Sequence, residues 1–427
     1  MAARRDPAAQ IRNIDLLTVL IAVLLPWSTS GVAIASLLWL IALIPTLDVR
    51  AFAQSLKRPV SAPPIALFVL ALAGTLWSDA PWGARLYAVG PAAKLLVLPL
   101  LLYHFERTPR GKWVFVGFLV SCALMLAMSW IVAFAPAFTF KPVNERVCGV
   151  FVKNYIDQSQ EFALCALALA FPVMALWKED RRRPAAWLFL LALAFVANMV
   201  FVIASRTALA TMPLMLAVFA FRYLPWRGIV AVGIVTLVAG AAWATAPRMC
   251  RTIDTIARDF ELYQERNIPT SAGLRIEYWT KSLRFIGEAP LVGHGTGSIR
   301  GLFEKAATGG AAGASAQVVA NPHNQTLSVA IQWGAIGVVL LYAMWLSHLL
   351  LFRGEGLVAW VGLLVVVQNV LSSLFNSHLF DFHEGWMYVL GVGVAGGTVL
   401  GGAGMGGRDG VSAATQRGSR DSIRPAT

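Results

Sequence analysis

The chain has 427 residues, of which 58% are hydrophobic and 13% are charged. A soluble domain carries about 25% charged residues, so this composition excludes a soluble globular protein and indicates a polytopic membrane protein. The net charge of +13 suggests nucleic-acid binding, but the basic residues punctuate the apolar runs and form no dense patch, which argues against that class.

Apolar segments run through most of the chain, and about twelve of them are long enough to cross a bilayer. The first follows Arg4 and Arg5 as in a signal sequence. However, it lacks a small-residue cleavage site and passes directly into the next run, so we expect a first membrane helix. The sequence therefore predicts an all-α polytopic membrane protein. Its predicted spans are residues 14–30, 31–47, 62–78, 88–104, 113–135, 159–177, 185–204, 207–222, 228–246, 324–351, 357–376 and 384–402.

The distribution of Lys and Arg between the short connections predicts the orientation of the chain. Every second connection is rich in basic residues, and so are both termini. Because basic connections stay in the cytoplasm, we expect both termini there and the opposite face in the periplasm, in the inner membrane of a Gram-negative cell. The Gly-, Ser- and Arg-rich residues 403–427 predict a disordered cytoplasmic tail.

One long polar stretch, residues 247–323, interrupts the apolar segments. Nine predicted helices precede it in residues 1–246, and three follow it in residues 324–402. Apolar residues recur at helical spacing in 251–267 and 273–287, which predicts two amphipathic helices. We expect this loop to lie on the periplasmic side and to carry the chemistry, because a membrane protein without a soluble domain has few other places for it.

Two arginines are candidates for binding an anion. Arg206 lies between two apolar spans with almost no loop, where an arginine is costly unless an anion pairs with it. A guanidinium matches a phosphate bidentately. Arg275 lies near the start of the second amphipathic segment, and a helix N-terminus also favours an anion. The alternatives are a side chain that reaches the lipid headgroups for Arg206 and a salt bridge to Glu277 for Arg275.

His323 is the strongest catalytic candidate. It lies where the loop re-enters the membrane, after Pro322 and before the span that begins at Asn324. A neutral imidazole at this place can take a proton from an attacking hydroxyl. The alternative is a histidine at a helix start whose ring is satisfied by the backbone.

Weaker candidates lie in two other segments. His294 falls in a glycine-rich turn, residues 290–297, where the backbone can approach a ligand closely, although a structural role is the simpler interpretation. A predicted outer connection holds polar side chains that either help to bind a diphosphate or anchor the chain at the interface. They are Lys141, Arg146, Lys153 and Asn154.

Acidic and histidine side chains form two further patterns. Asp157 and Glu161 are four residues apart on one helical face, so they either bind a cation or neutralise the nearby basic residues. His378, Asp381 and His383 are of metal-ligand type, but their spacing matches no zinc pattern. We therefore predict no metal.

The four cysteines show no metal-binding spacing such as CxxC. Cys122 and Cys165 lie in apolar runs and are most simply small buried hydrophobes. Cys148 and Cys250 both fall in predicted outer connections, so a disulfide between them stays open.

Several motifs follow each other in a particular order. They are Ser205-Arg206-Thr207-Ala208, Arg275-x-x-x-Trp279, Pro290-x-x-Gly293-x-Gly295 and Pro322-His323-Asn324-x-x-Leu327, with a looser match at Gly149 to Asn154. Together with one long loop in the C-terminal half, they resemble the O-antigen ligase and O-antigen polymerase superfamily of bacterial membrane enzymes. The resemblance covers about residues 145–345 by motif and the whole chain by topology.

This resemblance implies a GT-C-like glycosyltransferase that uses no nucleotide sugar, cofactor or metal. The ligase branch fits best, because the chain has one dominant loop. Such an enzyme moves an O-antigen chain from undecaprenyl diphosphate to the lipid A–core oligosaccharide. We therefore expect His323 to be catalytic and Arg206, Arg275 and Lys153 to bind the diphosphate. The weaker site candidates are His294, Asn324, Asn154 and Lys141.

Two alternative functions stay open at this point. An O-antigen polymerase uses the same donor and differs only in its acceptor. A lipid-linked sugar transporter or flippase belongs to a different class and needs ionisable residues near the bilayer midplane and broken, repeat-related helices. The centres of the predicted spans are nearly free of charge, with Lys94 as the main exception, and this favours an enzyme.

Overall fold

The computed structural model describes residues 7–142, 147–203, 206–244, 258–310 and 313–421, and this part of the chain is helical, without a strand. The helices before the long loop are α1 (Pro7–Leu24), α2 (Thr29–Leu43), α3 (Val49–Leu56), α4 (Ala62–Ala73), α5 (Trp82–Ala93), α6 (Val97–Phe105), α7 (Gly111–Phe134), α8 (Tyr155–Ala168), α9 (Ala170–Lys178), α10 (Arg182–Asn198), α11 (Arg206–Tyr223) and α12 (Trp226–Ala244). The loop contains α13 (258–266), α14 (Ser271–Glu288) and α15 (Ile299–Lys305), and it is followed by α16 (Gln325–Leu351), α17 (Leu357–Ser372) and α18 (Phe382–Asp421).

Eight helical segments of the described chain are long and apolar enough to cross a membrane. Four more apolar helices are shorter: α4, α17 and the apolar parts of α11 and α12. At 1.5 Å per residue, a helix of about 12 residues covers about 18 Å of a hydrocarbon core that is about 30 Å thick. The predicted all-α polytopic fold is therefore confirmed, whereas the predicted count of twelve spans is not.

The last helix lies at the centre of the bundle, packed against α6 and α17. Small residues allow the close approach, as is common between membrane helices. A Cβ atom on Gly393 would lie 2.6 Å from the Leu101 side chain, and one on Gly397 would lie 2.6 Å from the carbonyl oxygen of Leu102. Helix α18 also continues to Asp421, where the composition predicts a disordered tail from residue 403.

Helix α16 is broken one-third of the way along its length. Gly334 has φ 60° and ψ −155°, a non-helical conformation that favours glycine. Beyond the break, the N–H groups of Ala335 and Ile336 do not bond within the helix. They donate to the carbonyl oxygens of Pro290 at 2.8 Å and Leu291 at 3.3 Å.

The carbonyl groups before the break are satisfied by the same segment of the loop. Ile331 accepts from the N–H of His294 at 2.8 Å, and Gln332 accepts from the N–H of Gly295 at 2.9 Å. The loop backbone therefore replaces the hydrogen bonds that α16 loses, as a buried backbone requires. This exchange fixes the glycine-rich turn to the helix that follows His323.

The conformation of Gly334 generates a prediction about stability. A Cβ at this position would lie 2.3 Å from the carbonyl carbon of Leu291, so we expect Gly334→Ala to lower the free energy of unfolding by at least about 2 kcal/mol. Thermal unfolding of the detergent-solubilised protein measures this. In the control Gly354→Ala, a Cβ meets nothing within 4 Å, and the change should stay within about 0.5 kcal/mol. Equal melting temperatures for both variants would contradict the proposed clash.

Candidate active site

The predicted catalytic histidine lies at one end of the helical bundle, where α8, α11, α16 and α18 begin and α17 ends. We call this the His323 end. His323 itself is half-buried and has a φ of 54°, a left-handed conformation that is rare for residues other than glycine. Such strain is retained where the surroundings enforce it, and it is common at functional sites.

Asn321, two residues earlier, holds His323 in this conformation. The Asn321 Oδ1 atom accepts a hydrogen bond from the His323 N–H at 2.9 Å and a second one from the Ser377 hydroxyl at 2.7 Å. Asn324 then ends the turn, because its Oδ1 accepts from the N–H of Leu327 at 3.1 Å and caps α16. The weaker site candidate Asn324 therefore has a structural role in starting the helix.

The imidazole of His323 contacts two neighbouring elements. Its Nδ1 lies 3.0 Å from the Oδ1 of Asn376, in the connection between α17 and α18. Its ring stacks on Tyr278 of α14, with ring centres 6.1 Å apart and an angle of 29° between the planes. Arg275 lies one turn earlier on α14. Burial lowers the pKa of His323 below its usual 6.5, the hydrogen bond to Asn376 raises it, and the positive charge of Arg275 lowers it. Arg275 is thus close enough to His323 for its charge to act on the imidazole.

Glu277, which the sequence offers as an alternative partner for Arg275, contacts other residues of the loop. Glu277 lies 3.1 Å from the Lys281 amine and accepts a hydrogen bond of 2.6 Å from the Tyr263 hydroxyl. The ion pair with Lys281 lies within α14, whereas the Tyr263 hydrogen bond joins α13 to α14. These contacts hold Glu277 within the loop, and the sequence-based alternative of a salt bridge to Arg275 stays a prediction.

A second polar group is buried beside the first, between the starts of α8 and α18. The His383 Nδ1 lies 2.5 Å from the Asp157 Oδ2. Asn154 caps α8 and donates to the same carboxylate at 2.9 Å. The Lys153 amine donates to the carbonyl of Leu25 at the end of α1, and burial lowers its pKa. Lys153 is therefore a held cation near this end of the bundle, and Asn154 is a cap.

His378 lies between these two groups. It is 1% exposed. Burial lowers its pKa to about 4, with the negative charge of Asp157 opposing and the positive charges of His323 and Arg275 adding to the effect. Its Nε2 lies 3.8 Å from Glu384. Asp157 contacts His383 and Asn154, and the two sequence alternatives for Asp157 and Glu161 stay predictions. Among the described residues, no group of three or more His, Cys, Asp and Glu side chains is arranged to hold a metal ion.

The remaining candidates are separate from these groups or lie outside the described side chains. His294 donates its backbone N–H to α16, and its Nε2 lies 2.8 Å from the carbonyl of Phe285, contacts that favour a structural role. Lys141 follows Thr139, whose hydroxyl accepts its N–H. Arg206 begins α11, but its side chain lies outside the described part of the structure. Arg146 and Cys250 lie outside it as well, so a disulfide between Cys148 and Cys250 is not tested.

Several residues of the site were not selected from the sequence as its members. Asn376, Tyr278 and Ser377 carry no motif. The sequence drew attention to Asp381 only as a residue of metal-ligand type and to Lys94 only as a charge within a predicted span. The Asn376 Nδ2 donates to the Asp381 Oδ2 at 2.8 Å, and Lys94 donates to the carbonyl of Asp381. A dense run of polar residues in the short connection 373–381 is the one sequence signal that indicates them.

The charge of Arg275 generates a prediction about the titration of His323. Replacing Arg275 by Gln removes one cause of the lowered pKa, so the pKa of His323 should rise. Diethyl pyrocarbonate acylates neutral imidazoles only, and the pH at half-maximal modification of His323, measured by peptide mass spectrometry, should therefore move upward. Arg284→Gln on the same helix removes a guanidinium that is paired with Glu288 and should leave the midpoint in place. No shift in the Arg275 variant would contradict the placement.

The central region of the chain matches a known family. Residues 191–342 match the family model described as O-antigen ligase. The matched region runs from α10 into α16 and includes Arg206, Arg275, His294 and His323. A comparison with curated proteins found no match. The resemblance seen in the motifs is thereby confirmed: over its central region, the chain resembles the O-antigen ligase family.

Proposed function

We propose that this protein is an O-antigen ligase. It transfers the O-antigen polysaccharide from undecaprenyl diphosphate to the lipid A–core oligosaccharide at the periplasmic face of the bacterial inner membrane, with inversion and without a metal. The family match supports a ligase or polymerase type of function. The observation that carries the finer proposal is His323, which lies in a left-handed turn and whose pKa is lowered by burial and by the charge of Arg275.

The cations at the His323 end are suited to the donor's diphosphate. Arg275 is close enough to His323 for its charge to act on the imidazole, and Arg206 begins α11, which packs on α8 and α17 at the same end of the bundle. Lys153 is held at the nearby start of α8. Arg206 and Arg275, with Lys153, bind the diphosphate and stabilise the charge that it gains as the glycosidic bond breaks. Preorganised charge of this kind usually contributes more to catalysis than any other single effect.

An apolar groove next to the site suits the lipid tail of the donor. It has a volume of about 70 Å³ and lies between α1, α7, α8, α17 and α18. Leu25 lines the groove, and the carbonyl of the same residue accepts the Lys153 amine. The groove therefore begins next to one of the proposed phosphate-binding cations. This arrangement supports a tail within the membrane and a diphosphate at its surface.

His323 acts as the base for the acceptor sugar. Its neutral ring takes the proton of the core hydroxyl as that oxygen bonds to the anomeric carbon. The bond from this carbon to the diphosphate oxygen breaks, and its electron pair leaves with the diphosphate. Because the diphosphate is a good leaving group, the reaction needs no strong general acid, in contrast to the paired carboxyl groups of glycosidases. Attack opposite the leaving group inverts the anomeric centre.

The test replaces His323 by Asn, which tolerates a left-handed conformation well but supplies no base at neutral pH. A deletion strain complemented with His323→Asn should lose the lipopolysaccharide ladder and accumulate undecaprenyl-linked polymer. With purified protein, transfer should fall by about 10²- to 10⁴-fold. His294→Asn is the matched control, and its ladder should persist because His294 contacts only the loop and α16.

The pattern of the lipopolysaccharide distinguishes the outcomes of this test. A core that bears a single repeat unit in the deletion strain would identify a polymerase. An unchanged ladder in the deletion strain would exclude both activities and return attention to a transport role. A ladder that persists with His323→Asn but is lost in the deletion strain would remove His323 from the mechanism while leaving the ligase assignment in place.

The proposed binding of the diphosphate makes a second prediction. Arg206→Lys keeps the positive charge but loses the planar fork, so we expect transfer to fall while the protein still inserts into the membrane. Arg284→Lys, an exposed residue of α14 that pairs only with Glu288 among the described residues, is the control. Normal transfer by Arg206→Lys would show that a point charge is sufficient at this position.

A further inference from the structure

We propose that Asn376 is a positioning residue that fixes the tautomer of His323, and that Asp381 holds the Asn376 amide in the orientation this requires. The inference rests on the proposed role of His323 as the base. It is carried by a chain of hydrogen bonds whose donors and acceptors can be assigned one after another, starting from a backbone group.

The first assignment is that of Asn321. Its Oδ1 lies 2.9 Å from the N–H of His323, which can only donate. The carbonyl oxygen of the Asn321 amide is therefore placed correctly, and its NH₂ group points the other way. This NH₂ group donates to Asn376 at 3.0 Å. The atom of Asn376 that faces Asn321 must consequently be an acceptor, its Oδ1.

A second contact assigns Asn376 independently. Its other amide atom lies 2.8 Å from the Oδ2 of Asp381, and an ionised carboxylate only accepts hydrogen bonds. The NH₂ group of Asn376 therefore faces Asp381. Both neighbours, Asn321 on one side and Asp381 on the other, place the Asn376 oxygen toward the histidine.

The tautomer of His323 follows from this orientation. Its Nδ1 lies 3.0 Å from the Asn376 Oδ1, which has only lone pairs to offer. The Nδ1 must carry the proton, and the neutral ring keeps the lone pair of Nε2 for the acceptor hydroxyl. After proton transfer, both nitrogens carry protons and the Nδ1–H still donates to Asn376. The hydrogen bond is therefore retained throughout the reaction.

The connection that carries Asn376 is bound firmly to the start of α16. The N–H of Gln325 donates to the carbonyl of Ser373 at 2.9 Å, and the N–H of Leu379 donates to the Gln325 side chain at 3.0 Å. Lys94 from the bend between α5 and α6 donates to the carbonyl of Asp381. The start of α16 and the bend between α5 and α6 thus hold this connection, so Asn376 has little freedom to turn its amide around.

Other charged groups lie near the hydrogen-bonded residues His323, Asn376 and Asp381 and must be considered in a pH experiment. Arg275 and His378 lie near His323, while Lys94 and Asp157 lie near Asp381. Burial raises the pKa of Asp381 to about 6, and Lys94 opposes this effect. Only Asn376 and Asp381 are changed in the test, so the contributions of the other groups stay constant between variants.

The experiment compares two variants that should move His323 in opposite directions. Asn376→Leu removes the acceptor, which favours the protonated ring, so the pH midpoint of carbethoxylation at His323 should fall. The double variant Asn376→Asp/Asp381→Asn exchanges the two side chains and keeps every donor facing an acceptor. Because a carboxylate then faces the Nδ1–H, the midpoint should rise by about one pH unit or more.

Transfer kinetics supply the second readout. We expect Asn376→Leu to lower kcat by about 10- to 100-fold, with a largely unchanged KM for the lipid-linked donor, and the exchanged pair to regain activity at higher pH. Asn198→Leu is the control, since this buried amide bonds to Ser129 at 3.0 Å in another part of the bundle. It should leave the His323 midpoint and kcat unchanged.

The proposal would be overturned if the pH midpoint of carbethoxylation at His323 stayed in place in both variants, or moved in the same direction in both. Asn376 would then have a purely structural role. If Asn376→Leu fails to insert, the midpoint of the exchanged pair decides alone. Carbethoxylation needs neither donor nor acceptor sugar. The shifts therefore test Asn376 even if the activity of His323→Asn shows that the proposed function is wrong.

Discussion

Four backbone hydrogen bonds between the loop and the break in α16 hold the candidate site together. They connect Ile331, Gln332, Ala335 and Ile336 to the segment 290–295. A broken helix in a membrane protein must find other partners for its free N–H and C=O groups, because lipid offers none. Here the loop supplies them. The same contacts bring the loop helices close to His323, which lies two residues before α16. The positions of His323 and Arg275 relative to each other depend on it.

Burial explains the electrostatics of the site better than any single ion pair. His323 and His378 both have lowered pKa values chiefly because they lie away from water, and Arg275 adds to this effect. A ring that stays neutral is available as a base, while the guanidinium that helps to keep it neutral is also suited to a phosphate. Arg275, one helical turn from Tyr278 on α14, can therefore serve both halves of the proposed reaction.

The site lies where polar and apolar environments meet. Val365 and Met387 line the apolar groove and also a small polar cavity that contains Glu384 and Gln160. The volume of this cavity, about 10 Å³, is about that needed for a single water molecule. A substrate with a long hydrocarbon tail and a charged headgroup requires such a boundary. The transport alternative would instead place ionisable groups along a path through the bilayer, whereas the groups described here collect at one end of the bundle.

The sequence by itself selected His323 and Arg275 as site candidates, and it determined the class of the protein, the positions of most helices and the long loop. Hydropathy and helical spacing are local properties of the chain, and these features follow from them. The tertiary structure decided what surrounds His323. Asn376 is 53 residues away, and its contact with the histidine depends on how the connection 373–381 folds over α16. The break at Gly334 likewise becomes tolerable only through a segment about forty residues earlier, and no local pattern reports such a distant partner.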